Sequence, residues 1–172
     1  MKIFKHIGTS DIDCNFFDAI GDEWMLITAK DKNTGKYNTM TASWGGIGVI
    51  WKKRVFCCVI RPQRYTYEFA ENSDIITLSF FGDGYRSALN FCGTKSGRDY
   101  DKAKETGLTP RDDIEDGVYF DEAKLVLVGR KLYAGDLDED CFIDKSIIPA
   151  CYPGKDYHRA YICEITDVLM AE

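Results

Sequence analysis

Val55-Phe56-Cys57-Cys58-Val59-Ile60 is a run of six uncharged residues, closed off by Arg54 and Arg61. It is too short for an ordinary buried helix, and its residue types favour extended backbone. It therefore predicts a strand buried on both faces. Such a strand needs neighbours, and the sequence supplies them. Trp24 to Lys30 reads as a strand, Asn33-Thr34-Gly35-Lys36 as a turn, and Tyr37 to Trp44 as the returning strand. Ile75 to Phe81, Leu125 to Tyr133 and Ala160 to Val168 follow the same pattern. Short helices are expected over Arg64 to Glu71, Tyr85 to Phe91 and Tyr100 to Glu105, the last stopped by Gly107 and Pro110. At least six strands without regular strand–helix alternation exclude a parallel sheet and favour a β-barrel with helices packed outside it.

At 172 residues, residues 1–172 form one expected domain, large enough to fold without disulfide or metal staples. The seven cysteines, with no Cys-x-x-Cys pair and no nearby His, argue against a zinc site or a secreted disulfide framework. Residues 1–8 contain no apolar stretch suited to a signal peptide, and no segment nears the roughly 18 apolar residues of a membrane span. The expectation is a reduced, cytoplasmic protein with no metal and no membrane attachment.

The net charge is −6, from 22 Lys and Arg against 28 Asp and Glu, which speaks against a nucleic-acid binder. That charge is unevenly spread. Lys32 to Tyr67 holds seven cations (Lys32, Lys36, Lys52, Lys53, Arg54, Arg61, Arg64) and no acid. The −6 thus divides into +7 in this window and −13 elsewhere. A cationic, hydroxyl-rich stretch in an acidic chain suits a small bound anion; a solvated positive face is the alternative.

Three segments have anion-binding chemistry. Asn38-Thr39-Met40-Thr41-Ala42-Ser43-Trp44 offers hydroxyls, an amide and an indole able to flank a flat ring, ahead of Gly45-Gly46. It also reads as a plain Thr/Ser strand ending in a glycine turn. Arg61-Pro62-Gln63-Arg64-Tyr65-Thr66 places two arginines and a hydroxyl at a helix start, with Pro62 in the first turn; the alternative is arginines paired with surface carboxylates, although none lies within the preceding turn. Gly93-Thr94-Lys95-Ser96-Gly97-Arg98-Asp99, followed by Lys102, is a loop of N–H donors and cations, or a connector with Ser96 or Asp99 capping the next helix. Established phosphate motifs are absent. Gly46-Ile47-Gly48-Val49-Ile50-Trp51 has Trp51 where a dinucleotide fingerprint needs its third glycine, and Gly93-Thr94-Lys95-Ser96 lacks the Gly-Lys of a P-loop. Of the two histidines, His158 is better placed for a site than His6, since it enters a strand after a glycine-containing loop. No catalytic triad is visible, which fits chemistry carried by a bound cofactor.

Taken in order, NTMTASWGGIGVIW (38–51), RPQRYTYEF (61–69), CGTKSGRDYDKAKETGLTP (92–110) and DYHRAYICEI (156–165) resemble the flavin reductase family in its flavoredoxin-like branch. The similarity runs from about Trp24 to the C-terminus. It implies a homodimeric split β-barrel, mainly β with peripheral helices, binding FMN non-covalently. It places Asn38, Thr39, Met40, Thr41, Ala42, Ser43 and Trp44 along the flavin, with Trp44 beside the ring. Arg61, Arg64, Tyr65 and Thr66 fall around the phosphate and adjoining ring edge. Lys95, Ser96, Gly97, Arg98 and Lys102 form the third binding segment. His158 and Trp44 are then the candidate catalytic residues near the reactive ring face.

Two positions depart from the family pattern: Arg54 stands where proline is frequent, and Cys163 where glycine is common. The activity implied is transfer of electrons from NADH or NADPH through FMN to a flavin or another acceptor. An electron carrier reduced by a redox protein partner, or a cofactor-free binding module, are the alternatives. The mixed apolar stretch from Cys141 to Tyr152 is the expected dimer surface.

Overall fold

The computed structural model describes residues 1–172. Ten strands are formed: β1 (Phe4–His6), β2 (Met25–Lys30), β3 (Tyr37–Ala42), β4 (Gly45–Ile50), β5 (Lys53–Ile60), β6 (Ile75–Phe80), β7 (Pro110–Arg111), β8 (Tyr119–Phe120), β9 (Leu125–Asp136) and β10 (Arg159–Ala171). Five helices lie between them: α1 (Phe16–Gly21), α2 (Tyr65–Glu71), α3 (Arg86–Thr94), α4 (Lys102–Thr106) and α5 (Ile147–Cys151). Seven strands run in the order β3-β2-β6-β9-β10-β5-β4, every neighbouring pair antiparallel, and β1 joins the C-terminal half of β10. β7 and β8 make a separate two-stranded ribbon.

The two end strands of this order, β3 and β4, are consecutive in the chain and separated only by Ser43 and Trp44. The sheet must therefore curl until its ends nearly meet. The barrel stays split, because β3 and β4 do not pair. The long strands β9 and β10 accommodate the curl with register shifts at Ile162/Cys163 and Ile165/Asp167, where one strand carries an extra residue and bends.

Two apolar clusters hold the sheet. Met25, Ile27, Phe56, Cys58, Ile60, Leu78, Leu127 and Tyr161 face the barrel interior. Leu26, Val126, Val128 and Leu169 point the other way, against α3, α4 and the β7–β8 ribbon. Alternate residues of β2 and β9 thus enter opposite clusters, so it is this part of the sheet that is buried on both faces.

This corrects the reading of Val55–Ile60. β5 does form there, and Phe56, Cys58 and Ile60 are core, but Cys57 and Val59 are only half-buried. Four further differences have local causes. The second strand stops at Ala42, two residues short of Trp44, where the chain turns into β4. The glycine-rich stretch after Trp44 is that strand, not a turn. Pro62 lies in the bend before α2, which starts at Tyr65. The cap of α4 is Asp101, whose carboxylate accepts from the Lys104 N–H at 3.2 Å, and not Ser96 or Asp99. All seven cysteines are free thiols.

Gly45 shows how tight the turn between the sheet ends is. Its φ is 155°, and a Cβ there would sit 2.6 Å from the Cys57 carbonyl oxygen. Gly45→Ala is expected to lower stability by about 2 kcal/mol through backbone strain and displacement of β4. Urea unfolding of the variant checks this; an unchanged midpoint would show that the turn relaxes freely.

Candidate functional site

The seam between β3 and β4 opens a cavity of about 250 Å³ lined by Met40, Thr41, Ala42, Ser43, Trp44, Val59, Arg61, Arg64 and His158. A second hollow of about 190 Å³ is lined by Gln63, Arg64, Tyr65, Thr66, Thr94, Lys95, Ser96, Gly97 and Lys102. Arg64 belongs to both. The first has an aromatic wall, with Trp44 and His158 ring centroids 5.1 Å apart. The second is walled by cations, hydroxyls and the first amides of α2, which have no carbonyl partner within the helix.

Arg64 caps the start of α2 and donates through Nη1 to the Gly93 carbonyl at 2.8 Å. Its Nη2 is buried with no partner. Burial and the neighbouring Arg61 both lower its pKa. Lys102 is buried and donates to the Thr39 and Cys92 carbonyls, each at 2.8 Å. Its pKa falls to about 8, chiefly through burial and further through Arg64. No carboxylate pairs with either group. Two cations in mutual conflict, one with an orphan donor, form a set that an anion would complete.

Other candidates are already engaged by the fold. Arg61 is ion-paired with Asp156, donates to the Cys151 carbonyl at 2.8 Å and lies over the Tyr152 ring. Arg98 pairs with Glu68 and lies over Tyr65, lining neither cavity. Asn38 and Thr39 sit behind the site in a separate hollow that also touches Tyr65, Gly97 and Lys102. Asn38 donates to Thr66 Oγ1 at 2.8 Å, and Thr39 shares a 2.9 Å hydrogen bond with Thr28. Thr41 donates to the Leu89 carbonyl at 2.5 Å. Gly97 is required here, because a Cβ would run into the Asn38 side chain. Ser96 Oγ is turned to the Arg98 N–H at 3.2 Å, closing the loop.

His158 is buried, its Nδ1 is 2.8 Å from the Tyr152 hydroxyl, and its Nε2 has no protein partner. Burial, reinforced by Arg61, lowers its pKa to about 4, so the ring is neutral at pH 7. Tyr152 and Asp156 had no signal in the sequence as site residues. Gln63, which donates to Asp156 at 2.5 Å and lines the second hollow, lay unread between the two arginines. No group of three or more His, Cys, Asp or Glu side chains is placed to hold a metal ion.

The family model for the flavin reductase like domain matches residues 17–172. The chain belongs to this family. Flavin reductase-like domains of known structure share its fold. Flavoredoxin of Desulfovibrio vulgaris (Miyazaki F) superposes with a TM-score of 0.66 at 22% identity, over 87% of this chain and 69% of that one. The FMN-binding domain of a flavin reductase-like enzyme from Shewanella baltica OS155 gives 0.70 at 13% identity, over 98% and 78%. The NADH:FAD oxidoreductase SgcE6 of Streptomyces globisporus C-1027, in complex with NAD and FAD fragments, gives 0.62 at 10% identity, over 87% and 77%. No curated protein matches the chain. In this flavin reductase-like fold no helix is long and apolar enough to cross a membrane.

The depressed pKa of His158 has a measurable consequence. The unfolded histidine titrates near 6.5, so between about pH 6.5 and 4 the unfolded chain holds the extra proton. The native state should lose about 2 kcal/mol as pH falls through that window, after allowance for partial solvent access. Urea unfolding at stepped pH values should show this slope, and His158→Gln should flatten it. Matching slopes in the two proteins would mean that His158 is not held neutral.

Proposed function

We propose that this protein binds FMN non-covalently and works as an oxidoreductase, taking electrons from NADH or NADPH and passing them to a flavin or another acceptor. The observation that carries the reading is Arg64, a half-buried arginine whose buried Nη2 has no partner, at the junction of an aromatic-walled cavity and a cation-lined hollow. A flat ring joined to a phosphate fits that division. Family membership and the FMN-binding or FAD-binding descriptions of its structural relatives support the same ligand class.

In this reading Arg64, Lys95, Lys102, Thr66 and the Ser96–Gly97 loop hold the phosphate. Met40 to Ser43 line the ring along the end of β3, and Trp44 and His158 flank it. Asn38, Thr39 and Tyr65 brace these groups from behind. Arg98 orders Tyr65 and Glu68 at the rim. Arg61, held by Asp156, fixes the segment before His158 and supplies positive potential to the ring cavity. The flavin, when bound, supplies the hydride and electron chemistry. The chain supplies orientation, a neutral His158 able to hydrogen-bond through Nε2, and fixed cations that favour negative charge.

Homodimerisation belongs to the same proposal. Trp51 and Tyr133, with ring centroids 6.4 Å apart, are 57% and 52% exposed, beside exposed Val49. That apolar patch, in place of the Cys141–Tyr152 stretch expected from the sequence, suits burial against a second copy.

Purified protein should be yellow or take up added FMN, and the flavin absorbance should bleach with NADH or NADPH under anaerobic conditions. Colour without bleaching would leave a flavoredoxin-like carrier reduced by a protein partner, and failure to bind FMN would end the reading. Arg64→Met should weaken FMN binding by roughly 10- to 150-fold, the worth of a charge-assisted hydrogen bond, with a much smaller effect on stability. Wild-type FMN affinity should also fall as pH rises through about 8, where free Lys102 loses its proton, and Lys102→Met should lack that dependence. Fluorescence titration of FMN from pH 6.5 to 9.5 measures both.

A further inference from the structure

A cleft of about 650 Å³ lies between α1 and the start of β4, on the far side of Trp44 from the cavity just described. Ser43 and Trp44 line both spaces. The other walls come from Cys14 and Asn15, from Phe16, Phe17, Ile20 and Gly21 of α1, and from Gly45, Gly46 and Ile47 of β4. No Lys, Arg, His, Asp or Glu lines it, in contrast to its cationic neighbour.

Its few polar groups are largely occupied. Asn15 Oδ1 accepts from the Phe17 N–H at 3.1 Å, and its Nδ2 donates to Asp18 at 2.7 Å. Burial raises the Cys14 thiol, keeping it uncharged. A charged ligand entering here would lose hydration and find no counter-charge, whereas an apolar ring would gain contact with Phe16, Ile20 and Ile47. Phe17 is 90% exposed at the mouth, where water would otherwise surround its ring. The volume falls within the range of small-molecule sites.

We propose that this cleft binds a neutral aromatic molecule, seated between α1 and β4 with one edge at Trp44. Its binding stands on the cleft alone and does not depend on the flavin reading of the adjoining cavity.

The test is titration calorimetry of the wild-type protein with naphthalene-2-methanol and with naphthalene-2-sulfonate, the same ring system neutral and anionic. It is run without FMN and with saturating FMN. The neutral compound should bind with a Kd on the order of tens of micromolar, and the anion at least tenfold more weakly. Ile47→Phe, which fills the cleft from β4, should weaken the neutral compound at least tenfold. Phe17→Ala, at a fully exposed position that cannot unfold the chain, should weaken it by about threefold. Both variants should keep wild-type FMN affinity. Equal affinity for the two compounds, or full binding by a folded Ile47→Phe protein, would overturn the proposal. So would absence of naphthalene-2-methanol binding; a shift of Ile47→Phe from dimer to monomer in sedimentation would then assign the cleft to a second copy. Naphthalene-2-methanol binding in a protein that takes up no FMN would instead remove the flavin reading and leave the cleft assigned.

Discussion

Ser43 and Trp44 join the two ends of a single curled sheet, and that two-residue connection determines where everything else can lie. Because β3 and β4 do not pair across it, polar backbone is left open at the seam, and the chain surrounds that opening with side chains suited to a ligand. Met40 and Ala42 arrive from one edge. Val59 arrives from β5, and Arg64 from the start of the helix that follows β5. His158 enters immediately before β10, the strand that pairs with β5. The site is thus a consequence of an incomplete barrel. Closing the β3–β4 edge with hydrogen bonds would remove the cavity.

The electrostatics of the site follow from the same geometry. Arg61, Arg64 and Lys102 come from one β-to-α connection and the start of α4, and the curl of the sheet brings them together. Only Arg61 finds a carboxylate, Asp156, on the segment that leads into His158. That pairing leaves Arg64 and Lys102 with carbonyl acceptors only, and their lowered pKa values express the resulting conflict. Proteins seldom leave buried cations in this condition unless something of opposite charge shares the space. The chain's overall −6 hides this, since its acids are concentrated elsewhere.

What the sequence made legible divides along the same physical line. Apolar runs such as Ile75–Phe80 and Leu125–Tyr133 announce strands because burial dominates their energetics. Of the seven cations in the acid-free window from Lys32 to Tyr67, Arg61 and Arg64 line the cavities, whereas Lys32 and Lys53 pair with Asp74 and Glu164, and Lys95 and Lys102 come from outside the window. β4 was illegible, since Gly45-Gly46-Ile47-Gly48 carries turn residues and becomes a strand only by pairing with Val55–Cys58. β1 was illegible for a related reason: Phe4–His6 is too short to signal anything and is extended because it docks on Leu169–Ala171. Among site residues, Arg61 and Arg98 read as free cations because Asp156 is 95 positions away from the first and Glu68 is 30 away from the second. The hydroxyls of Thr39 and Thr41 read as ligand donors, although cross-strand and helix partners consume both.

Trp44 separates two environments of opposite character. On one side the walls carry Arg61, Arg64 and His158; on the other they carry Phe16, Ile20 and Ile47, with no ionisable partner but a neutral thiol. An indole suits that position, since its faces are apolar and its edge can donate a hydrogen bond. It is 45% exposed, with its ring centroid 5.1 Å from that of His158. A single partition between a cation-bearing cavity and an apolar cleft allows the occupancy of one to be felt in the other. Any ligand that fixes the Trp44 ring lowers the entropy its neighbour must still lose. Coupling between the two spaces therefore requires no movement of the sheet, only the ordering of one side chain at the seam.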